Sequence, residues 1–331
     1  MIWSLTYRVR RFLYSFGYLK SNSFQVPIIS IGNLTFGGTG KTPFTLWLGN
    51  YLGLQGKKVM VLTRGYKGAL ENDSGILHSE KRLGFNPFEY GDEATMLIRR
   101  LKNAIVVVGK RRSENLEYYF EKESPDVVLL DDGHQHLKLK RDLNIVLFDS
   151  LLPLSQYQVA PVGYLREGLS ALNDADIIIL GRADQATDFQ IASLQELLES
   201  RLIKNIPFVR MSYVPTAFQN SSYEEVFSLE EIKGKKVVCL AGVASPKSFF
   251  DMAARQGAII VDKFTFPDHH SFTKEDIDTV LEKARKEDAY ILTTEKDIVK
   301  IRRIIDDPRI IHMEIKVNFL SGEEELLDLL K

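Results

Sequence analysis

Apolar, β-branched runs recur along the chain, separated by longer mixed segments. Ile28–Ile31, Lys58–Thr63, Ala104–Val108, Asp126–Asp131, Leu143–Phe148 and Asp176–Leu180 each read as a buried strand. Helices are expected between them: one opening at Lys41-Thr42 and ending near Gly53 to Gly56, one over Ala94–Leu101, one near Ile191–Leu202. Strands alternating with helices predict a doubly wound, mostly parallel α/β sheet. Residues 68–90 are polar and irregular and are expected to form a loop with little fixed structure. The pattern weakens from 185 to 235, where Pro207–Tyr213 alternates like an exposed strand before a polar stretch. A second α/β pattern then begins: strand Lys235–Gly242, a helix through Phe250, strand Gly257–Val261, helix Ile277–Lys286 and strand Tyr290–Thr293. The expected organisation is an amphipathic helix over 1–20, a larger domain over 21–204, a linker with extended strands over 205–234, and a smaller α/β domain over 235–331.

The first twenty residues mix Trp3, Phe12, Tyr14 and Phe16 with Arg8, Arg10, Arg11 and Lys20. Helical spacing brings Leu5, Val9, Phe12 and Phe16 close to one face. A basic, aromatic-rich amphipathic helix suits a membrane interface; a helix packed on its own domain with solvated arginines suits the pattern equally. No apolar run approaches the ~20 residues that span a bilayer, and Arg8, Arg10 and Arg11 interrupt any signal-peptide core.

Composition narrows the field. The chain has 331 residues, 44% of them hydrophobic, and a formal net charge of −1, so no basic excess points to nucleic acid. Its single cysteine, Cys239, sits in an apolar run and reads as a buried small hydrophobe in a chain without a disulfide framework.

The chemistry concentrates where the first strand ends, in I-G-N-L-T-F-G-G-T-G-K-T. Strand, glycine loop and helix in that order form the context of a phosphate-binding loop. Gly37, Gly38 and Gly40 let the backbone point N–H groups at an anion, and the helix start adds partial positive charge. Thr35, Phe36 and Thr39 complete the loop; Thr35 stands where the usual pattern begins with glycine. Lys41 is expected to reach the β- and γ-phosphates of ATP and the Thr42 hydroxyl to bind Mg²⁺.

Acids are candidates around it. In Asp126–Asp131, four apolar residues running into a carboxylate describe the strand that delivers an acid to Mg²⁺, so Asp131 is the first candidate and Asp132 the second. Asp92 and Glu93 follow Gly91 at a helix start, where capping and catalysis are both open. Arg166-Glu167 is either an internal ion pair or a contact to phosphate and metal. Gly109-Lys110-Arg111-Arg112 is either a solvated turn or a contact to an anionic substrate. His134 and His136 suggest zinc, but there is no cysteine partner at metal spacing, and hard Mg²⁺ prefers the carboxylates. In Phe266-Pro-Asp-His-His270 adjacent acid and histidine on a loop suit proton transfer. Thr294-Glu-Lys-Asp297 looks superficially like a guanine-reading signature, but Glu295 stands at a needed position and guanine specificity is rejected.

Taken together, G-N-L-T-F-G-G-T-G-K-T-P, L-T-R-G-Y, G-D-E, L-L-D-D-G-H-Q-H, L-R-E-G-L-S-A-L, F-P-D-H-H and T-E-K-D, in this order over about residues 2 to 300, resemble the tetraacyldisaccharide 4′-kinase family. The resemblance implies ATP-dependent phosphorylation of the 4′-hydroxyl of a tetraacylated glucosamine disaccharide 1-phosphate in lipid A biosynthesis. It implies a phosphate-loop NTPase-like fold and a peripheral position on the cytoplasmic face of the bacterial inner membrane, with the N-terminal helix on the membrane surface. It also implies that Asp92 and His269 cooperate to take the proton from the sugar hydroxyl. The motifs themselves place Lys41 on the triphosphate and Thr42 and Asp131 on Mg²⁺, with Asp132, Glu93 and Glu167 as further metal candidates. Three positions depart from the commonest family pattern: His134 for an aromatic, Ala94 for proline and Gly168 for proline. A monomer is expected. With Asp92 in the larger domain and His269 in the smaller, the pair is expected to assemble only when the domains close. The competing readings are a kinase for a soluble metabolite and a nucleotide-driven membrane switch without a phosphorylated product.

Overall fold

The structure, a computed structural model, describes residues 2–81 and 85–331, with side chains from Thr6 onward. The side chains of Trp3 and Leu5, and the part of the 68–90 expectation that falls on 82–84, lie outside the described residues. In chain order the elements are α1 (Ile2–Ser15), β1 (Ile28–Gly32), α2 (Lys41–Leu54), β2 (Val59–Thr63), β3 (Gly75–His78), α3 (Pro87–Tyr90), α4 (Asp92–Arg100), β4 (Ala104–Val108), α5 (Arg112–Glu123), β5 (Val127–Asp131), β6 (Leu143–Asp149), β7 (Ile177–Gly181), α6 (Asp188–Glu199), β8 (Phe208–Asn220), β9 (Glu225–Phe227), β10 (Lys236–Ala241), α7 (Pro246–Arg255), β11 (Ile259–Thr265), α8 (Lys274–Glu287), β12 (Tyr290–Thr294), α9 (Glu295–Ile301), β13 (Ile310–Ser321) and α10 (Glu323–Leu329). They form two compact units: Met1–Phe85, Leu97–Tyr213 and Val317–Lys331 in the first, Asn86–Met96 and Val214–Lys316 in the second.

In the first unit β7, β6, β1, β5, β2 and β4 pair in parallel in that order, with Ile31 of β1 level with Asp131 of β5 on one side and Ile145 of β6 on the other. Residues 208–210 of β8 add to β7. Every residue of β1, β2, β4, β5 and β7 is buried, as expected of parallel strands covered on both faces. β1 is thus the central strand, and the order reverses beside it. In open α/β sheets such a switch point builds a ligand site at the carboxyl ends of the strands. The carboxyl ends here are Gly32, Thr63, Val108, Asp131, Asp149 and Gly181.

Within 68–90, residues 69–78 are more ordered than expected. Ala69–Asn72 form a 3₁₀ turn, and β3 pairs antiparallel with β4. Leu77 is buried and Ile76 packs on the core under β1 and β5, which is enough apolar surface to seat a short edge strand.

In the second unit β11, β10, β12 and residues 310–313 of β13 pair in parallel in that order. Its core joins Val238 and Leu240 of β10, Ile277, Val280 and Leu281 of α8, Ile291 of β12 and Ile298 of α9. α8 starts with a capping box, Thr273 and Asp276 exchanging side-chain and backbone hydrogen bonds. α5, α9, β13 and α10 are additional to the elements expected from the sequence.

Candidate active site

The loop after β1 turns through two left-handed glycines, Gly37 (φ 92°) and Gly40 (φ 84°). Gly40 caps α2. A side chain at Gly40 would meet the Tyr213 hydroxyl, whose oxygen lies 1.5 Å from where a Cβ would be. The backbone N–H groups of Gly37, Gly38, Thr39 and Gly40 make no hydrogen bond among the described residues. Unpaired donors in a glycine-rich turn at a helix start form an anion cradle. Thr35 is buried and accepts from Asn33 Nδ2 at 3.4 Å; Phe36 is exposed, with its N–H donating to the Tyr164 carbonyl at 2.7 Å.

Behind the cradle, Lys41 Nζ lies 3.3 Å from Asp132 Oδ1, and Arg166 Nη1 donates to Asp132 Oδ2 at 2.9 Å. Arg112 Nη1 donates to the Asp132 carbonyl at 2.9 Å. Burial opposes a charge on Asp132, but Lys41, Arg166 and Arg112 prevail and hold its carboxyl well below the usual range. Asp131 differs from its neighbour. It is buried at the end of β5 and accepts from two hydroxyls, Thr45 Oγ1 at 3.3 Å and Thr63 Oγ1 at 3.2 Å. Thr42 follows Lys41 in the first turn of α2. The donor set of Thr42, Asp131 and Asp132 is oxygen alone, which fits Mg²⁺ and not zinc. Among the described residues no cluster of three or more His, Cys, Asp or Glu side chains forms a ready metal site.

Glu167 is buried and faces the N-terminal helix: Arg11 of α1 donates to both its oxygens, Nε to Oε2 at 2.7 Å and Nη2 to Oε1 at 3.0 Å. Arg11 also pairs with Asp174. Val9 and Phe12 of α1 are exposed, as is Phe16 just beyond its end, by 67%. The helix therefore ties down Arg11 and leaves Val9 and Phe12 uncovered, with Tyr7 and Tyr14 half-buried.

His134 is fully buried against Asn144, and a Cβ on Gly32 would stand 2.5 Å from the His134 Cβ. Burial pushes the imidazole pKa down for both histidines of the motif, with nearby arginines acting in the same direction, to about 3 for His136.

The second unit carries the other group of candidates. Asp92 Oδ2 lies 3.1 Å from His269 Nδ1, and Lys296 Nζ lies 3.0 Å from His269 Nε2. The ammonium donates, so Nε2 is the acceptor and Nδ1 carries the proton given to Asp92. Lys296 also reaches Asp268 at 3.2 Å and Glu93 at 3.5 Å. Lys300 sits 3.9 Å from Asp92 and 3.0 Å from Asp297. Burial alone raises the Asp92 pKa, but the hydrogen bond from His269 and the charges of Lys296, His269 and Lys300 leave it lowered. Burial works against the Lys296 charge, yet Glu93, Asp92 and Asp268 raise its pKa. His269 holds a left-handed backbone (φ 58°), an uncommon conformation at a functional loop.

This corrects the expectation that Asp92 and His269 meet only on domain closure. Residues 86–96 belong to the same unit as His269, and the pair is formed within it. Residues 86–96 group with the second unit and the chain returns to the first at Leu97, within α4, which a reading by consecutive segments does not detect. Thr294-Glu-Lys-Asp297 takes structural duties: Thr294 caps α9, Asp297 accepts from the Gly242 N–H at 2.9 Å and Glu295 from the Ile315 N–H at 3.1 Å. Sequence reasoning missed Lys296 and Lys300 as partners of Asp92; their i,i+4 spacing on one helix was the available signal. It also missed Tyr213, whose buried hydroxyl sits against the loop, and left Arg112 inside a turn.

A sequence model of the family "Tetraacyldisaccharide-1-P 4′-kinase" matches residues 1–331. The tetraacyldisaccharide 4′-kinase of Geobacter sulfurreducens is 35% identical over 300 residues, covering 91% of this chain and 82% of that protein. The one of Bdellovibrio bacteriovorus is 34% identical over 304 residues, covering 92% and 88%. A crystal structure of "apo" form LpxK from Aquifex aeolicus in complex with ATP matches with a TM-score of 0.77 at 31% identity, covering 99% of this chain and 95% of that one. With the whole chain matched in sequence and fold, and the glycine loop and paired acids in place, the chain belongs to the tetraacyldisaccharide-1-P 4′-kinase family.

Proposed function

We infer that this chain transfers the γ-phosphoryl group of ATP to the 4′-hydroxyl of a tetraacylated glucosamine disaccharide 1-phosphate, a step of lipid A biosynthesis. The observation that carries the reading is the loop of free N–H groups leading into Lys41, beside Asp132, at the carboxyl edge of the sheet. Phosphoryl transfer needs positioning and charge neutralisation more than covalent chemistry. The N–H groups of residues 37–40 and Lys41 hold the triphosphate. Thr42 and Asp131 are the residues that would hold Mg²⁺, with Asp132 beside them. Bound Mg²⁺ neutralises phosphate charge. Asp132 keeps Lys41, Arg112 and Arg166 gathered, so an incoming phosphate meets cations already in position. Glu167 is assigned to seating α1 through Arg11, and Glu93 to holding Lys296.

Asp92 and His269 take the proton from the attacking hydroxyl. Asp92 accepts from Nδ1, which fixes the tautomer and leaves Nε2 as the basic atom. The substrate hydroxyl replaces the Lys296 ammonium at Nε2, and the ionised Asp92 stabilises the imidazolium that forms.

Among the described residues no helix is long and apolar enough to cross a membrane. The exposed Val9 and Phe12 of α1, with Phe16 just beyond it, support a peripheral position on the cytoplasmic face of the inner membrane, where the acyl chains of the substrate stay in the bilayer. The chain acts as a monomer in this reading.

The test is transfer of labelled phosphate from ATP to a tetraacyldisaccharide 1-phosphate in mixed micelles, with and without Mg²⁺. A phosphorylated lipid that forms only with Mg²⁺ is the expected result; ATP binding without any lipid product overturns the reading.

A further inference from the structure

Away from the glycine loop, Arg8 of α1 and Arg201, just beyond α6, line one open pocket of about 290 Å³. Its wall is apolar: Tyr157 and Leu165 are buried there, with Val159 and Leu169 beside them. Both arginines are exposed, and neither guanidinium has an ion-pair partner among the described residues. Arg11, one turn further along α1, is the contrast, since Glu167 satisfies its charge. No acid lines the pocket; its other polar side chains are Gln158 and Ser170.

Two uncompensated cations over an apolar wall call for an anion with an apolar attachment. We propose that this pocket holds the phosphate headgroup of a membrane phospholipid. The surroundings favour a lipid over free phosphate. Val9 and Phe12 of α1 are exposed, and so are Leu154, Val162 and Tyr164 of the segment that forms the opposite wall. Exposed apolar side chains around a cationic pocket leave a soluble anion in an apolar rim, whereas a bilayer covers the rim and supplies the phosphate together. The pocket then fixes the angle at which α1 lies on the surface. The inference rests on the membrane reading only for the source of its ligand.

The experiment titrates the full chain with dihexanoyl phosphatidylglycerol below its micelle-forming concentration, and separately with inorganic phosphate. Saturable lipid binding is expected, at least ~10-fold tighter than phosphate. The double variant Arg8→Gln/Arg201→Gln is expected to weaken it by ~10-fold or more. Ser170→Trp, which fills the mouth and keeps both charges, is expected to abolish it. Equal affinity for lipid and phosphate overturns the lipid headgroup. Full binding by Ser170→Trp overturns the pocket in favour of diffuse surface charge, as does unchanged binding by the double variant. Neither ATP nor disaccharide is present, so failure here and failure of phosphoryl transfer are separate results.

Discussion

The two units solve opposite electrostatic problems with the same residue types. In the first, Lys41, Arg112 and Arg166 surround one carboxyl group, Asp132; in the second, Glu93, Asp92 and Asp268 surround one ammonium, Lys296. Both arrangements bury charge that would be costly alone. The excess differs in sign. The first leaves positive charge beside free N–H groups and suits an incoming phosphate. The second leaves negative charge beside a histidine of fixed tautomer and suits the removal of a proton. A single acid placed among cations holds them ready, whereas a single cation placed among acids moderates how strongly they bind protons.

Breaking the first cluster has the largest expected effect. Lys41→Ala should reduce phosphate transfer by ~10³-fold or more, with thermal unfolding little changed; retained turnover would remove Lys41 from the nucleotide site. In the second cluster, His269→Ala should slow transfer by ~10²–10⁴-fold, and Asp92→Asn should follow it, while ATP binding is kept. Near-normal turnover in either variant removes it from proton transfer. A gentler change sharpens the contrast. Lys296→Met takes a positive charge from beside Asp92, whose carboxyl then holds its proton more strongly. The acid limb of the pH profile of kcat/KM should then move to higher pH; an unmoved limb means that Lys296 is only structural.

Phe12→Ser with Phe16→Ser should lower partition onto vesicles without unfolding the chain; unchanged partition leaves α1 as a packed helix alone. The smallest effect concerns stability against pH. His136 has a folded-state pKa of about 3, below the ordinary imidazole value, so the unfolded chain takes up its proton first as pH falls. Its contribution is complete above about pH 6.5 and is lost between there and about pH 3. Asp92 and Asp132, also depressed, add losses only below the ordinary carboxylate range. Denaturant midpoints measured from pH 7 to 4 should fall, and His136→Gln should flatten the upper part of that curve.

Much of this was legible in the residues. The buried strands announced themselves because parallel strands covered on both faces are continuous apolar runs, as in Val127-Val-Leu-Leu130 of β5 and Ile177-Ile-Ile-Leu180 of β7. The glycine loop was readable because Gly37 and Gly40 need left-handed backbone that other residues resist. What escaped was long-range. Glu167 reads as a metal candidate until Arg11, far away in sequence, is seen against it. Lys296 and Lys300 look like solvated helix charges, because only the fold brings Asp92 to them. β13 reads weakly because its outer half is half-exposed, and β3 because its apolar content is two residues.

That Asp92 and His269 stand 177 positions apart bears on the order in which the protein is made. A ribosome adding ~5–20 residues per second releases the aspartate roughly 10–35 s before the histidine. The glycine loop emerges earlier still. A nascent chain thus owns its nucleotide-gripping residues well before it can deprotonate an acceptor, and a truncated translation product ending before the histidine lacks the proton-accepting pair altogether.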